Sequence, residues 1–190
     1  VMKTVYRIFI VIILCMVLSW GGCKPNKERS FRFYEDAELY VPGDFTADVD
    51  EVKRIEIDWY AGVVEVEKNP LGKVSVFEEE NGGLEEERLY TYLDESILRV
   101  KYCRAGFCGK IDESQKNLQV SLPEGVEIEI NGVKLSVYLG VLDTPSLTIK
   151  MENGYVEGER ILCQRAEMKI QIRQQTSRNY LLQMKLFPDV

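Results

Sequence analysis

The sequence predicts an all-β fold: a β-solenoid of stacked strands, with an antiparallel β-sandwich as the alternative, preceded by an N-terminal signal helix. Three observations lead there. Apolar and polar side chains alternate with period two from Ile55 to Ile172, as half-buried strands require. Clusters of Gly, Pro and Asn separate those runs. Three apolar triplets, Val126-x-Ile128-x-Ile130, Leu147-x-Ile149-x-Met151 and Met168-x-Ile170-x-Ile172, recur 21 residues apart. With 190 residues, 45% of them hydrophobic, the chain is long and apolar enough for one core.

Residues 1–22 read as a signal peptide. Lys3 and Arg7 come first, with no acid nearby, and every side chain from Ile8 to Leu18 is apolar before the small residues around Gly21-Gly22. That run is shorter than the roughly 20 apolar residues a spanning helix needs. Cys23 directly follows the two glycines and opens a polar stretch, a pattern that resembles a bacterial lipobox, although Trp20 stands where that motif has Leu. The resemblance implies that Cys23 is the lipidation site and becomes the mature N-terminus, with residues 23–32 as a polar tether. The protein is then expected to be exported and lipid-anchored to a membrane of the cell envelope. An acidic chain is repelled by anionic headgroups, so attachment would come from acyl chains and not from charge.

Residues 33–190 form the expected single all-β domain. Its strands include Ile55–Trp59, Val64–Val66, Val74–Val76, Leu98–Tyr102, Leu118–Leu122, Val126–Ile130 and Leu135–Leu139. The expected turns lie at Ala61-Gly62, Asn69–Gly72, Asn81–Gly83, Pro123–Gly125, Asn131-Gly132, Asp143–Pro145 and Asn153-Gly154. Only Leu84–Leu93, rich in acidic helix formers, competes with a helical turn or two.

If the three triplets stack in parallel about 4.8 Å apart, their apolar residues form an inward column. Outside it, Glu129 lies over Lys150 and Glu152 over Arg173, both opposite-charge pairs. At the same offset Leu135-Val137-Leu139 maps poorly onto Val156-Gly158-Arg160, which favours the sandwich. Residues 161–190 depart from the pattern: every Gly precedes residue 159, and Gln174-Gln175 replaces the expected Asn-Gly turn. This stretch is either an atypical cap, with Tyr180–Leu182 and Leu186-Phe187 covering the open end, or a truncated or out-of-frame end.

Cys103 and Cys108 enclose four residues including Gly106, so they form a possible disulfide in an oxidising compartment or remain two free thiols. Cys163 reads as a small buried hydrophobe.

The stretch Ile55–Ile161 resembles the bacterial "putative adhesin" domain family of unknown function, related to autotransporter-adhesin head domains. The residues carrying the resemblance are Ile55–Val66, Asn117–Pro123 and Leu147–Val156, with strands that end in Asn-Gly and a Leu-x-Val-x-Leu-Pro strand ahead of the stacked run. The resemblance implies an exported, membrane-anchored β-solenoid and supplies no catalytic residues.

Histidine is absent, which removes Ser-His-Asp and Cys-His triads and His-ligated zinc, and no other metal or cofactor is expected. A net charge of −7 argues against a nucleic-acid partner. Glu78–Glu80 and Glu85–Glu87 flank the Asn81–Gly83 turn as a solvated loop or, less simply, a divalent-cation site. Asp44, Asp48, Asp50 and Glu51 lack the spacing of a calcium loop. Asp143 suits a turn better than glycan chemistry. Among the tyrosines, Tyr34, Tyr40, Tyr60, Tyr90, Tyr92, Tyr102, Tyr138 and Tyr155 suit strands, and the outward ones could stack on sugars or meet a protein.

The expected function is therefore a non-catalytic cell-envelope lipoprotein whose adhesin-like surface binds protein or envelope polysaccharide. Two alternatives are a β-helical polysaccharide lyase or hydrolase using outward carboxylates, and an envelope-stress sensing component.

Overall fold

A computed structural model describes residues 31–79, 84–107 and 116–170. The signal peptide, Cys23 and most of the tether lie outside the described residues, as do Cys108 and residues 171–190. The described chain is all-β, with two single-turn 3-10 helices at Ala37–Leu39 and Glu85–Glu87. The strands are β1 (Val41–Pro42), β2 (Phe45–Asp48), β3 (Arg54–Lys68), β4 (Lys73–Glu78), β5 (Tyr90–Asp94), β6 (Ile97–Lys101), β7 (Lys116–Leu122) and the long β8 (Glu127–Ile170).

All eight belong to one mixed sheet that curls into a half-barrel. β3 is its axis. It pairs in parallel with β6 along its first half, with β7 along its second, and with the first pass of β8 along both. The flanking pairs β1–β5, β2–β4, β4–β7 and β5–β6 are antiparallel. The centre thus has the parallel layering of a solenoid and the edges have hairpin geometry, so neither a regular solenoid nor an antiparallel sandwich describes the whole.

Alternation sets the faces. Ile55, Ile57, Trp59, Val64 and Val66 of β3 point inward with Leu98 and Val100 of β6, Leu118 and Val120 of β7, and Ile128, Ile130, Leu135 and Val137 of β8. Each such aliphatic side chain contributes about 1.5–3 kcal/mol on burial. The first two apolar triplets are buried as one column. Met168 and Ile170 of the third are half-buried against the same core, and Ile172 lies outside the described residues.

The expected reverse turns at Ala61-Gly62, Asn131-Gly132 and Asn153-Gly154 are instead bends inside continuous strands. The chain passes through each corner and keeps its direction, because its partner is a parallel layer. Glycine is required there: a Cβ on Gly62 would lie 2.1 Å from the Lys116 carbonyl oxygen, and one on Gly154 only 1.6 Å from that of Leu135. That second contact also explains the poor match in the second half of the repeat. Lys150 sits beside Glu129, 21 residues earlier, but past the corner Gly154 sits on Leu135, 19 residues earlier. A single fixed offset cannot align both halves.

The folded part begins earlier than expected. Phe31, read as tether, is buried and meets Tyr60 edge-on at 5.6 Å. Arg32 accepts the Gly106 amide at 2.6 Å through its carbonyl and donates through its guanidinium to the Phe107 carbonyl at 2.7 Å. Leu84–Leu93 divides into the 3-10 turn and strand β5. At the other end, residues 161–170 continue β8 as a mostly exposed stretch.

Candidate contact surface on the outer face

The outward side chains of β3 divide into two halves with different electrostatics. In the first half every carboxylate has a cation. Lys150 pairs with Glu129 at 2.9 Å and Arg54 with Glu56 at 3.1 Å; Arg54 also holds Glu129. Arg99 continues the ladder from Glu56 to Asp94, the latter at 3.0 Å. One row further on, Asn131 donates to Asp58 at 3.0 Å, and Asp58 pairs with Lys101. The Lys101 ammonium lies over the rings of Tyr34 at 5.2 Å and Tyr40 at 5.9 Å. Burial pushes the Tyr40 hydroxyl up to about 12, so it stays protonated at neutral pH. Partial burial pushes the Glu129 carboxyl up, but Lys150, Arg54 and Asn131 outweigh it and hold the group below its ordinary value.

Among the described residues the second half carries no such ladder. Glu65 and Glu67 of β3, Tyr138 and Gly140 of the first β8 pass, and Glu157 and Glu159 of the second line an open groove of about 430 Å³. Among the described residues none of these four glutamates has an ion-pair partner. Gly140 leaves a notch beside Glu67, since a Cβ there would stand 3.6 Å from the Glu67 Cγ and from the Val66 carbonyl oxygen. Tyr138 and Tyr155 stand edge-to-face, 5.6 Å between ring centres, with their hydroxyls hydrogen-bonded to each other. That bond, more than any burial, raises the Tyr138 pKa. The surface therefore offers negative charge, aromatic edges and hydroxyls.

The sequence names Tyr138 and Tyr155 only among eight tyrosines, without distinguishing which face outward, and does not single out the four glutamates. A usable signal existed: Glu65-x-Glu67 and Glu157-x-Glu159 repeat one acidic spacing at outward parity, without the Lys or Arg that accompanies Glu56, Asp58 and Glu129. The Glu129–Lys150 pair stands as expected. The partner expected for Glu152, Arg173, lies outside the described residues.

A second, partly buried cluster lies where β4 ends and β7 begins. Glu78, expected in a solvated acidic loop, is instead the last residue of β4 and pairs with Lys116 at 3.0 Å. Glu79 accepts hydrogen bonds from Asn117 at 2.7 Å and Gln119 at 3.1 Å. Asp44 and Asp48 do not converge: Asp44 accepts the Glu78 amide at 3.4 Å, and Asp48 faces Lys73. Among the described residues no group of His, Cys, Asp and Glu is arranged to hold a metal ion. At Asp143 it is the backbone carbonyl that accepts, from Gly125, while the neighbouring Thr144 is buried and donates to Val126.

Cys103 is a free, buried thiol whose pKa burial raises to about 11; its expected partner Cys108 lies outside the described residues. Cys163 is half-buried, and its thiol donates to the Arg165 carbonyl at 2.9 Å.

No protein-family model and no curated protein matches the chain. Among solved structures, a "putative adhesin" from Bacteroides fragilis is similar over 69% of this chain and 76% of its own, with a TM-score of 0.40 and 9% identity. A "putative cell adhesion protein" from Clostridium sporogenes is similar over 62% and 68%, with a TM-score of 0.32 and 9% identity. Neither likeness transfers a residue or a role to this chain.

Proposed function

We propose that this chain is a non-catalytic lipoprotein of the bacterial cell envelope, anchored through Cys23, whose layered, solenoid-like β exterior binds a protein or an envelope polymer. The observation that carries this reading is the groove at Glu65, Glu67, Tyr138, Glu157 and Glu159, an open surface with uncompensated charge beside an aromatic wall. Four carboxylates of one sign, in two pairs separated by the layer that carries Tyr138 and Gly140, repel one another, and a bound cationic group relieves that repulsion. Tyrosine edges and hydroxyls add contact area at low entropic cost. The complementary partner exposes lysine, arginine or amine groups. The apolar run at residues 8–18 and the Gly-Gly-Cys sequence at 21–23 support delivery to the envelope.

Binding of the full-length protein to intact cells, purified envelope polymers and envelope proteins tests the reading. Replacing Glu65, Glu67, Glu157 and Glu159 with Gln is expected to weaken binding about tenfold or more without loss of fold. Unchanged binding would exclude the groove. Release of shortened glycan chains would favour instead the lyase or hydrolase reading, in which the same carboxylates act on a sugar.

A further inference from the structure

We propose that Lys116 and Glu78 are joined by an amide bond formed within the folded chain, between the lysine Nζ and the carboxyl Cδ. Lys116 opens β7 at the inward parity of Leu118, Val120 and Leu122, and its side chain is only 4% exposed, that of Glu78 11%. A buried ion pair is a poor stabiliser, since apolar residues of the same volume do as well or better. The pair's placement therefore invites a chemical explanation.

The surroundings are those of a poised nucleophile and electrophile. Nζ stands 3.0 Å from the Glu78 Oε1. It donates to the carbonyls of Glu87, at 2.6 Å, and Tyr102, which occupy two N–H bonds and leave the remaining position of the nitrogen facing the carboxyl. The Leu89 amide donates to the Glu78 Oε2, where a tetrahedral intermediate would place its negative charge. The rings of Trp59 and Tyr102, 4.7 and 4.5 Å from Nζ, wall the site against water. The Trp59 indole fixes the lysine's own backbone by donating to its carbonyl at 3.1 Å. Burial is the leading influence on both groups, lowering the Lys116 pKa and raising that of Glu78, so it favours the neutral amine and the neutral acid.

From that neutral pair the nitrogen lone pair attacks Cδ and the electrons of the carbonyl move to Oε2. The intermediate collapses as the Cδ–Oε1 bond breaks. Oε1 leaves as water, carrying its acid proton and one proton from Nζ. Nothing is oxidised or reduced, and no co-reactant is consumed. A water-excluding site favours this condensation and protects the product from hydrolysis. The remaining N–H stays on one of the two carbonyls. The product ties the end of β4 to the start of β7.

Proteolysis of the purified, denatured full-length protein followed by tandem mass spectrometry tests this. The expected result is one branched peptide joining the segments that contain Glu78 and Lys116, lighter than their sum by one water. Lys116→Arg keeps a cation but offers no neutral amine, so that variant is expected to yield the two peptides separately. Two separate, unmodified peptides from the native chain would overturn the proposal, as would a water loss mapped to other residues.

Discussion

Gly154 has a φ of +132° and no space for a side chain, because the Leu135 carbonyl of the layer beneath fills the position of its Cβ. Gly72 also has positive φ, at +69°, but nothing lies within 4 Å of its missing Cβ. The two therefore separate steric exclusion from backbone strain. Gly72→Ala is expected to cost about 1–2 kcal/mol from strain alone. Gly154→Ala forces the layers apart and is expected to cost about 4 kcal/mol or more. Denaturant titration of both variants checks the difference, and equal costs would contradict the layered packing. The need for glycine at 154 was visible in the Asn-Gly pair, but its reason was not, since the same pair equally makes a hairpin turn. Lys116 was hidden for a different reason. Composition sends lysine outward, and only the parity it shares with Leu118 places it inside.

At the scale of strands, the charge ladder across β8, β3, β6 and β5 pins the register of the central sheet, because a slip by one residue would turn every pair inward. Glu129 sits between Lys150 and Arg54, and its folded pKa lies below the unfolded value of about 4.3. Its stabilisation is thus complete above that unfolded value and is lost as the pH falls through the lower, folded one. Glu129→Gln is expected to lower stability at pH 7 modestly and to flatten the acid limb below about pH 4. Thermal melts from pH 7 down to pH 3 read this directly; parallel curves for the two proteins would count against the ladder. The Glu129–Lys150 contact was legible because period two and the 21-residue spacing together fix face and neighbour. Strand direction was not legible, because alternation is the same for parallel and antiparallel pairs. Hence the antiparallel edges of β1, β2 and β5 emerged only with the structure.

At the largest scale, the polarity of the outer face is uneven among the described residues: half is neutralised by its own cations, and half has no ion-pair partner for its glutamates around Tyr138 and Tyr155. The all-β class followed from alternation, and the half-barrel curl did not, because sheet twist and the close approach of layers at Gly62 and Gly154 leave no mark on an apolar–polar pattern. The groove is not legible in the sequence because its four glutamates come from stretches some 90 residues apart and meet only when the second pass of β8 lies on the first. The proposed contact function rests on this meeting. Its most direct test is equilibrium binding of the native chain and of the variant carrying Gln at positions 65, 67, 157 and 159 to isolated envelope material over a range of salt. The native chain should bind with an affinity that falls as salt rises, and the variant should bind about tenfold more weakly with a shallower salt dependence. Equal affinity and equal salt dependence for the two proteins would contradict it.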